Sequence, residues 1–246
     1  MPESAKKSAL ITGAATGIGR SIAETLAAQG IRVAINHPHT PELADEVVAK
    51  IEADGGEALA VAADVRDRDE YSAMVDRLLD TWGSWDILVN NAAVAITKPF
   101  PEITSEEFDL SFAVNVKGVF HGLQLAWDRL ADNGRIITIS SSTTALMLPG
   151  YAVYDSTKGA VEQLTHILAK EFGPRGITVN AVSPGATETE TYRTGKSPEF
   201  LSRLEGMSVF NRLGKPSEIA ALVAFLASDA ANWVTAQNIR VNGATA

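Results

Sequence analysis

Short apolar runs alternate with longer segments of helical periodicity along nearly the whole 246-residue chain, and glycine or proline punctuates almost every junction. Ser8-Ala9-Leu10-Ile11-Thr12 reads as a strand ended by Gly13, and Ser21 to Gln29 as a helix with Ile22, Ala23 and Leu26 along one side. Gly30 closes that helix before the strand Arg32 to Ile35. The same pattern then repeats: helix Pro41 to Asp54, strand Ala58 to Ala62, helix Asp67 to Thr81, and strand Ile87 to Val89 running into Asn90-Asn91. Strands separated by helices cannot close into hairpins. They pair in parallel through right-handed crossovers, with helices covering both faces of the sheet.

The second half continues without a linker. Thr104 and Glu107 form a capping box for a long helix to about Asp132, whose apolar stripe is Phe112, Val116, Val119, Phe120, Leu123 and Trp127. Arg135 to Ser140 is a strand, Tyr151 to Phe172 a helix, and Thr178 to Ser183 a strand ending in Pro184-Gly185. From 186 to 214 the periodicity fades. A gap of that length inside a compact domain reads as a substrate-binding loop. Helix Ser217 to Ala227 and strand Asn238 to Asn242 complete the series. The expectation is α/β: one doubly wound domain over 1–246, with a mostly parallel seven-stranded sheet and helices on both faces.

Composition narrows the function. With 46% hydrophobic residues the chain can bury a large core, and it contains no cysteine, so thiolate chemistry and disulfides are excluded, in keeping with a reducing cytoplasm. Lys6 and Lys7 precede the first apolar run, but Thr12 and Gly13 break it at once, unlike a signal peptide. Apolar runs such as Ile219 to Ala227 are too short for a bilayer crossing. A formal charge of −9 gives no footprint for nucleic acid and repels acidic partners. No set of residues suggests a metal site.

Two stretches carry chemistry. Thr12-Gly13-Ala14-Ala15-Thr16-Gly17-Ile18-Gly19 lies between the first strand and the first helix. Glycines there let the backbone turn and approach a pyrophosphate, which the helix-start N–H groups and dipole attract. In Tyr154-Asp155-Ser156-Thr157-Lys158, the tyrosine and lysine fall one above the other on a helix face. A cation within a few ångström lowers a phenol pKa by about 1–3 units, which suits it to proton transfer. Further polar segments fall where strands end: Asp64-Val65, Asn90-Asn91-Ala92-Ala93 and Ser140-Ser141-Ser142, at the sheet edge where ligands of such folds lie. Tyr151 stands about two turns from Lys158, out of easy reach. Gly118 and Gly122 share a helix face with Asn115, a face built for close approach of another element.

TGAATGIG at 12–19, NNAA at 90–93, Asn115, Ser141, YDSTK at 154–158 and PGATET at 184–189 together resemble the short-chain dehydrogenase/reductase family, over nearly the whole chain and in the family's order. The resemblance implies a Rossmann domain and reduction of a ketone by hydride from a nicotinamide. It makes Tyr154 the acid/base, Ser141 the hydrogen-bond partner of the substrate oxygen, and Lys158 the group that binds the nicotinamide ribose and lowers the Tyr154 pKa. Asn115 holds a water that passes protons on from Lys158. Ser140 and Ser142 stand beside Ser141, and only family spacing selects among the three.

For the cofactor the resemblance implies Gly13, Thr16, Gly17, Ile18 and Gly19 at the phosphates, Asn36 and His37 at the adenosine ribose, and Asp64 and Val65 at the adenine. Asn91, Ala92 and Ala93 lie along the ribose side with Tyr154 and Lys158, and Pro184, Gly185, Thr187 and Thr189 reach the carboxamide and phosphates. An acidic residue at the end of strand two would bind the 2′-hydroxyl of NAD. Here the chain reads Asn36-His37-Pro38-His39, so NADP is expected, with NAD as the alternative. Two positions depart from the family: Ala93 replaces the glycine of NNAG, and Asn242-Gly243-Ala244 stands where Asp-Gly-Gly is common.

A free small ketone is favoured over a carrier-bound thioester, because Asp132-Asn133 replaces the basic residues expected before strand five for an acidic carrier protein, although Arg175 is basic. The pocket is expected among Val94, Leu146, Pro149, Tyr151 and the loop Glu188 to Phe210. Alternatives are a 3-oxoacyl carrier-protein reductase, a sugar or polyol dehydrogenase, and a non-catalytic dinucleotide sensor, which would not need both Tyr154 and Lys158. A homotetramer, or a homodimer, is implied by the two long helices.

Overall fold

The computed structural model describes residues 6–189 and 197–246. Among these, seven strands form one sheet, β1 (Ser8–Ile11), β2 (Arg32–His37), β3 (Ala58–Ala62), β4 (Ile87–Asn90), β5 (Arg135–Ile139), β6 (Thr178–Pro184) and β7 (Asn238–Val241), in the order β3-β2-β1-β4-β5-β6-β7. Every strand pair is parallel. The order reverses between β1 and β4, and it is there, beyond the carboxyl ends of the strands, that an open parallel sheet leaves a crevice.

Helices α1 (Gly17–Ala28) and α2 (Pro41–Ala53) cover one face, and α3 (Arg68–Trp82) covers the other. Side chains of a strand alternate between faces, so Ala9 and Ile11 join Ile22, Leu26, Val47 and Val223 in one core, while Leu10 joins Tyr71, Met74, Trp85 and Phe172 in the second. Capping explains where helices begin. Asp67 accepts from the N–H groups of Asp69 and Glu70 at the start of α3. Thr104 and Glu107 form the expected box at the start of α4 (Ser105–Phe112).

The long helix expected over 104–132 is interrupted. After α4 a π-helical turn spans Ala113–Lys117, and α5 (Gly118–Arg129) follows. The turn falls where the two glycines let neighbours in. A Cβ on Gly118 would stand 2.8 Å from a methyl of Val65, and one on Gly122 would stand 2.4 Å from the Tyr71 hydroxyl. The helix face is thus pressed against α3 and the end of β3, and the extra backbone residue of a π turn absorbs the fit. Its outer side differs from the expected stripe as well. Val119 and Leu123 are buried, whereas Phe120 and Trp127 are exposed.

Beyond β5 come the short α6 (Thr143–Leu146) and the long α7 (Ala152–Phe172). The stretch without periodicity contains a helix, α8 (Pro198–Glu205), started by Ser197 accepting from the Phe200 N–H. Phe200, Leu201 and Leu204 fall on one side of it, a stripe too short for the sequence reading to pick out. Residues 190–196 of the expected substrate loop lie outside the described residues. Helix α9 (Pro216–Ala227) returns to the first face, and no helix among the described residues is long and apolar enough to cross a membrane.

Candidate active site

The glycine turn opens a cleft of ≈ 530 Å³ above β1 and β4. Gly13 and Gly17 have φ values of +63° and +57°, a region other residues enter at a cost. At Gly19 the reason for glycine is space: a Cβ would stand 2.4 Å from the Gly13 carbonyl oxygen and 2.5 Å from Asn91 Nδ2. Asn91 itself clamps the turn, donating to the carbonyls of Thr12 and Gly13 at 2.9 Å each, while Thr12 Oγ1 accepts from the N–H groups of Asn91 and Ala92. No side chain caps α1, and its first turn holds no acid. Its N–H groups and positive dipole end are therefore left for an anion from outside the helix.

Most expected cofactor residues line this cleft: Gly13, Thr16, Gly17, Ile18, Gly19, Asn36, Asp64, Val65, Asn91, Ala92, Ala93 and Thr189. The last covers the turn, since a Cβ on Gly17 would lie 3.2 Å from the Thr189 methyl. Tyr154 and Lys158 do not line it, and three further placements differ from the sequence expectation. His37 is turned inward and buried, its Nδ1 accepting from the Thr40 N–H, and Pro38 and His39 line the cleft in its place. Asn36 is mainly scaffold: Oδ1 takes the Gly13 N–H and Nδ2 donates to the Ala63 carbonyl at 2.9 Å, stitching the glycine turn to β3. Pro184, Gly185 and Thr187 do not reach this cleft. Pro184 and Thr187 are buried, Gly185 borders a separate smaller cavity, and Thr187 Oγ1 donates to the Gly185 carbonyl.

Sequence reasoning passed over Arg66. Its guanidinium grips the Asp64 carboxylate, with Nε 2.8 Å from Oδ2, and the pair lies in the cleft near Pro38 and His39. The contact holds the Asp64 carboxyl below its usual range. The available signal was a cation four residues past the end of β3, on the ligand edge of the sheet.

Lys158 is buried under the edge of β5, donating to the Ile139 carbonyl at 2.8 Å, with Nζ 5.7 Å from the centre of the Tyr154 ring. The Ser141 hydroxyl stands near enough to the Tyr154 phenol to favour its ionised form, so the structure does bring Ser141, Tyr154 and Lys158 together. The expected acidification of the phenol is absent from the protein's own electrostatics. Burial pushes Tyr154 up to about 12, with the Asp155 and Tyr151 charges adding and the nearby Ser141 hydroxyl opposing, and pushes Lys158 down to about 8, opposed by Glu162. Burial disfavours whichever form is charged, and it is the largest cause of both shifts. A phenol that keeps its proton at neutral pH is a proton donor in waiting.

Asn115 is buried in the π turn. Its Oδ1 accepts from the Val94 N–H, and both amide hydrogens are engaged, one by the Val94 carbonyl and one by Thr157 Oγ1. Its side chain therefore ties the loop after β4 to α7. Ala93 stands exposed at the rim with no positive φ, so its methyl extends over the cleft without backbone strain. Ala244, in contrast, occupies a φ of +58° where a second glycine is common. Among the described residues no group of His, Asp or Glu is placed to hold a metal.

Comparison with known proteins agrees with this geometry. A family model described as enoyl-(acyl carrier protein) reductase matches residues 13–244. The chain is 41% identical over 239 residues to the 3-oxoacyl-[acyl-carrier-protein] reductase FabG of Staphylococcus aureus, covering 96% of this chain and 97% of the relative. It is 37% identical over 250 residues to versicolorin reductase of Emericella nidulans, covering 96% and 94%. Among solved structures it is similar to the angucycline C-6 ketoreductase LanV with bound NADP, at a TM-score of 0.93 and 40% identity over 97% of this chain and 95% of that one.

Proposed function

The chain belongs to the short-chain dehydrogenase/reductase family, and from that premise we propose that it is an NADP-dependent reductase of a small ketone, with Tyr154 delivering the proton. The observation that carries the reading is the group of buried Ser141, half-buried Tyr154 and buried Lys158 beyond the end of β5, in a chain whose glycine turn at Gly13, Gly17 and Gly19 shapes a cleft. A bound nicotinamide supplies the hydride. The residues of the chain do the rest. Tyr154 gives its proton to the oxygen as negative charge grows there, Ser141 adds a second hydrogen bond, and Lys158 supplies fixed positive charge below a pH of about 8.

NADP is favoured over NAD because no carboxylate ends β2 and because Arg66 sets a cation at the cleft beside Pro38 and His39. NADP in the similar LanV structure supports the same choice. A free ketone is favoured over an acyl carrier protein because the cations on that side are already paired, Arg175 with Asp132 and Arg129 with Asp76. The likeness to FabG keeps the carrier-bound thioester as the second reading. Exposed Phe120 and Trp127 on α5 and Ile167 on α7 support association through these helices into a homotetramer, and the absence of cysteine suits a cytoplasmic location.

A panel of ketones with NADPH, run on wild type and Tyr154→Phe, tests the reading. Wild type should turn over at least one free ketone faster than an acyl carrier-protein thioester. The variant should lose about 10² or more in kcat with nucleotide affinity nearly intact, the usual scale of acid catalysis. Equal activity in the variant would refute the site.

A further inference from the structure

Five consecutive hydroxyl side chains, Ser140 to Thr144, leave the end of β5, and two carboxylates of α7 receive hydrogen bonds from them. Glu162 Oε1 accepts from Ser140 Oγ at 2.6 Å and from Thr144 Oγ1 at 3.0 Å. Asp155 Oδ1 accepts from Thr143 Oγ1 at 2.5 Å, and Thr143 Oγ1 lies 2.7 Å from Ser141 Oγ. The Ser141 hydroxyl in turn stands beside the Tyr154 phenol, whose ionised form it favours. The four groups form one row, from the proton donor to a half-buried carboxyl.

Each hydroxyl owns a single hydrogen, and an ionised carboxylate can only accept. With Asp155 ionised, Thr143 must direct its hydrogen to Asp155, so it can only accept from Ser141. The Ser141 hydrogen is then turned toward Thr143. One of its lone pairs takes the Thr143 N–H at 3.2 Å, and the other faces Tyr154. In that state Ser141 has nothing to offer a carbonyl oxygen. Protonating Asp155 reverses the row: Asp155 donates to Thr143, Thr143 donates to Ser141, and the Ser141 hydrogen is released toward the substrate.

We propose that Asp155, acting through Thr143, is a positioning residue that sets which way the Ser141 hydroxyl points, so that the protonated carboxyl promotes ketone reduction and the carboxylate restrains it. This rests on the roles proposed above for Tyr154 and Ser141. The titratable groups facing Asp155 are Tyr151 just before its helix and Tyr154 and Glu162 on it, and the segment Thr143–Leu146 packed against it carries no charge. Burial raises the Asp155 carboxyl from its ordinary value, with the Glu162 charge adding and the Thr143 hydrogen bond opposing.

The test is the pH profile of kcat/KM for ketone reduction with NADPH, in wild type, Asp155→Asn, Thr143→Val and Glu162→Gln. Asparagine keeps the shape of the side chain, cannot titrate, and is a weaker acceptor. Wild type should lose activity as pH rises above the Asp155 value, approaching tenfold per pH unit, because each unit removes about nine-tenths of the remaining protonated form. Asp155→Asn and Thr143→Val should each abolish that limb, and combining them should add nothing further, as for two links of one chain. Glu162→Gln should keep the limb and move it to lower pH. A wild-type profile without the limb, or a limb that survives in either Asp155→Asn or Thr143→Val, overturns the inference. Tyr154→Phe measured alongside separates the two failures. An inactive Tyr154→Phe with an unchanged limb in Asp155→Asn removes only the role of Asp155, whereas an active Tyr154→Phe removes the reading of the site on which it rests.

Discussion

The two ends of the crevice are built in opposite ways. At the β1 side the glycine turn works by what it lacks: three glycines leave room for backbone to meet backbone, and Asn91 and Asn36 pin the result. At the β5 side the site is made of side chains: a buried lysine, a phenol, and a row of hydroxyls ending in two carboxylates. The first is a shape and is largely indifferent to pH. The second is a set of charges and hydrogens in a low dielectric, where every member shifts its neighbours. Nucleotide affinity should therefore respond to added volume, and turnover to added or removed protons.

The largest effect that would sharpen this contrast is on stability at alkaline pH. Lys158 titrates near 8 in the folded protein against 10.5 for the free side chain, so the unfolded chain binds the proton more tightly. Stability should then rise with pH between those two values, by on the order of 3 kcal/mol if this group acted alone. Below about 8 the full penalty of the buried ammonium is present. Denaturant titrations at neutral and alkaline pH should show the rise in wild type and lose it in Lys158→Met. A rise of the same size in the variant would place its origin elsewhere.

Next comes Gly19→Ala, which puts a methyl 2.4 Å from the Gly13 carbonyl oxygen. Overpacking of this kind costs about 1–3 kcal/mol, so NADPH affinity should fall roughly tenfold to a hundredfold while the pH profile of residual turnover stays the same. Titration of the variant with NADPH checks it, and a changed profile would break the separation between the two ends. Arg66→Ala should weaken NADPH by about tenfold and leave NADH nearly unchanged, the scale of one charge-assisted hydrogen bond. Equal losses for both nucleotides would show that Arg66 does not read the phosphate. The smallest expected change is a gain: Ala244→Gly relieves a φ of +58° and should stabilise by about 1 kcal/mol in thermal or denaturant unfolding.

The same contrast explains how much could be read in advance. The parallel sheet, the capping box at Thr104 and the close approach at Gly118 and Gly122 were legible because periodicity and glycine have local causes, whereas the order of the strands was not. The positions of Ser141, Tyr154 and Lys158 were legible through family spacing. Hidden were the inward turn of His37, the cation Arg66, the π turn at Asn115 and the helix Pro198–Glu205. The inward turn of His37 and the π turn depend on which surfaces they meet, whereas Arg66 and the helix capped by Ser197 left local signals that were passed over.

What the sequence determined by itself is the alternation that forces a parallel sheet, and the glycines that open it at the β1 edge, because steric exclusion acts within a few residues. What only the tertiary structure decided is the electrical character of the opposite edge. Burial turned Tyr154 into a weaker acid and Lys158 into a weaker base, and a fold contact between Thr143 and Asp155 gave the hydroxyl row a direction. Desolvation and hydrogen-bond polarity belong to groups brought together from distant points of the chain, so they exist only once it has folded.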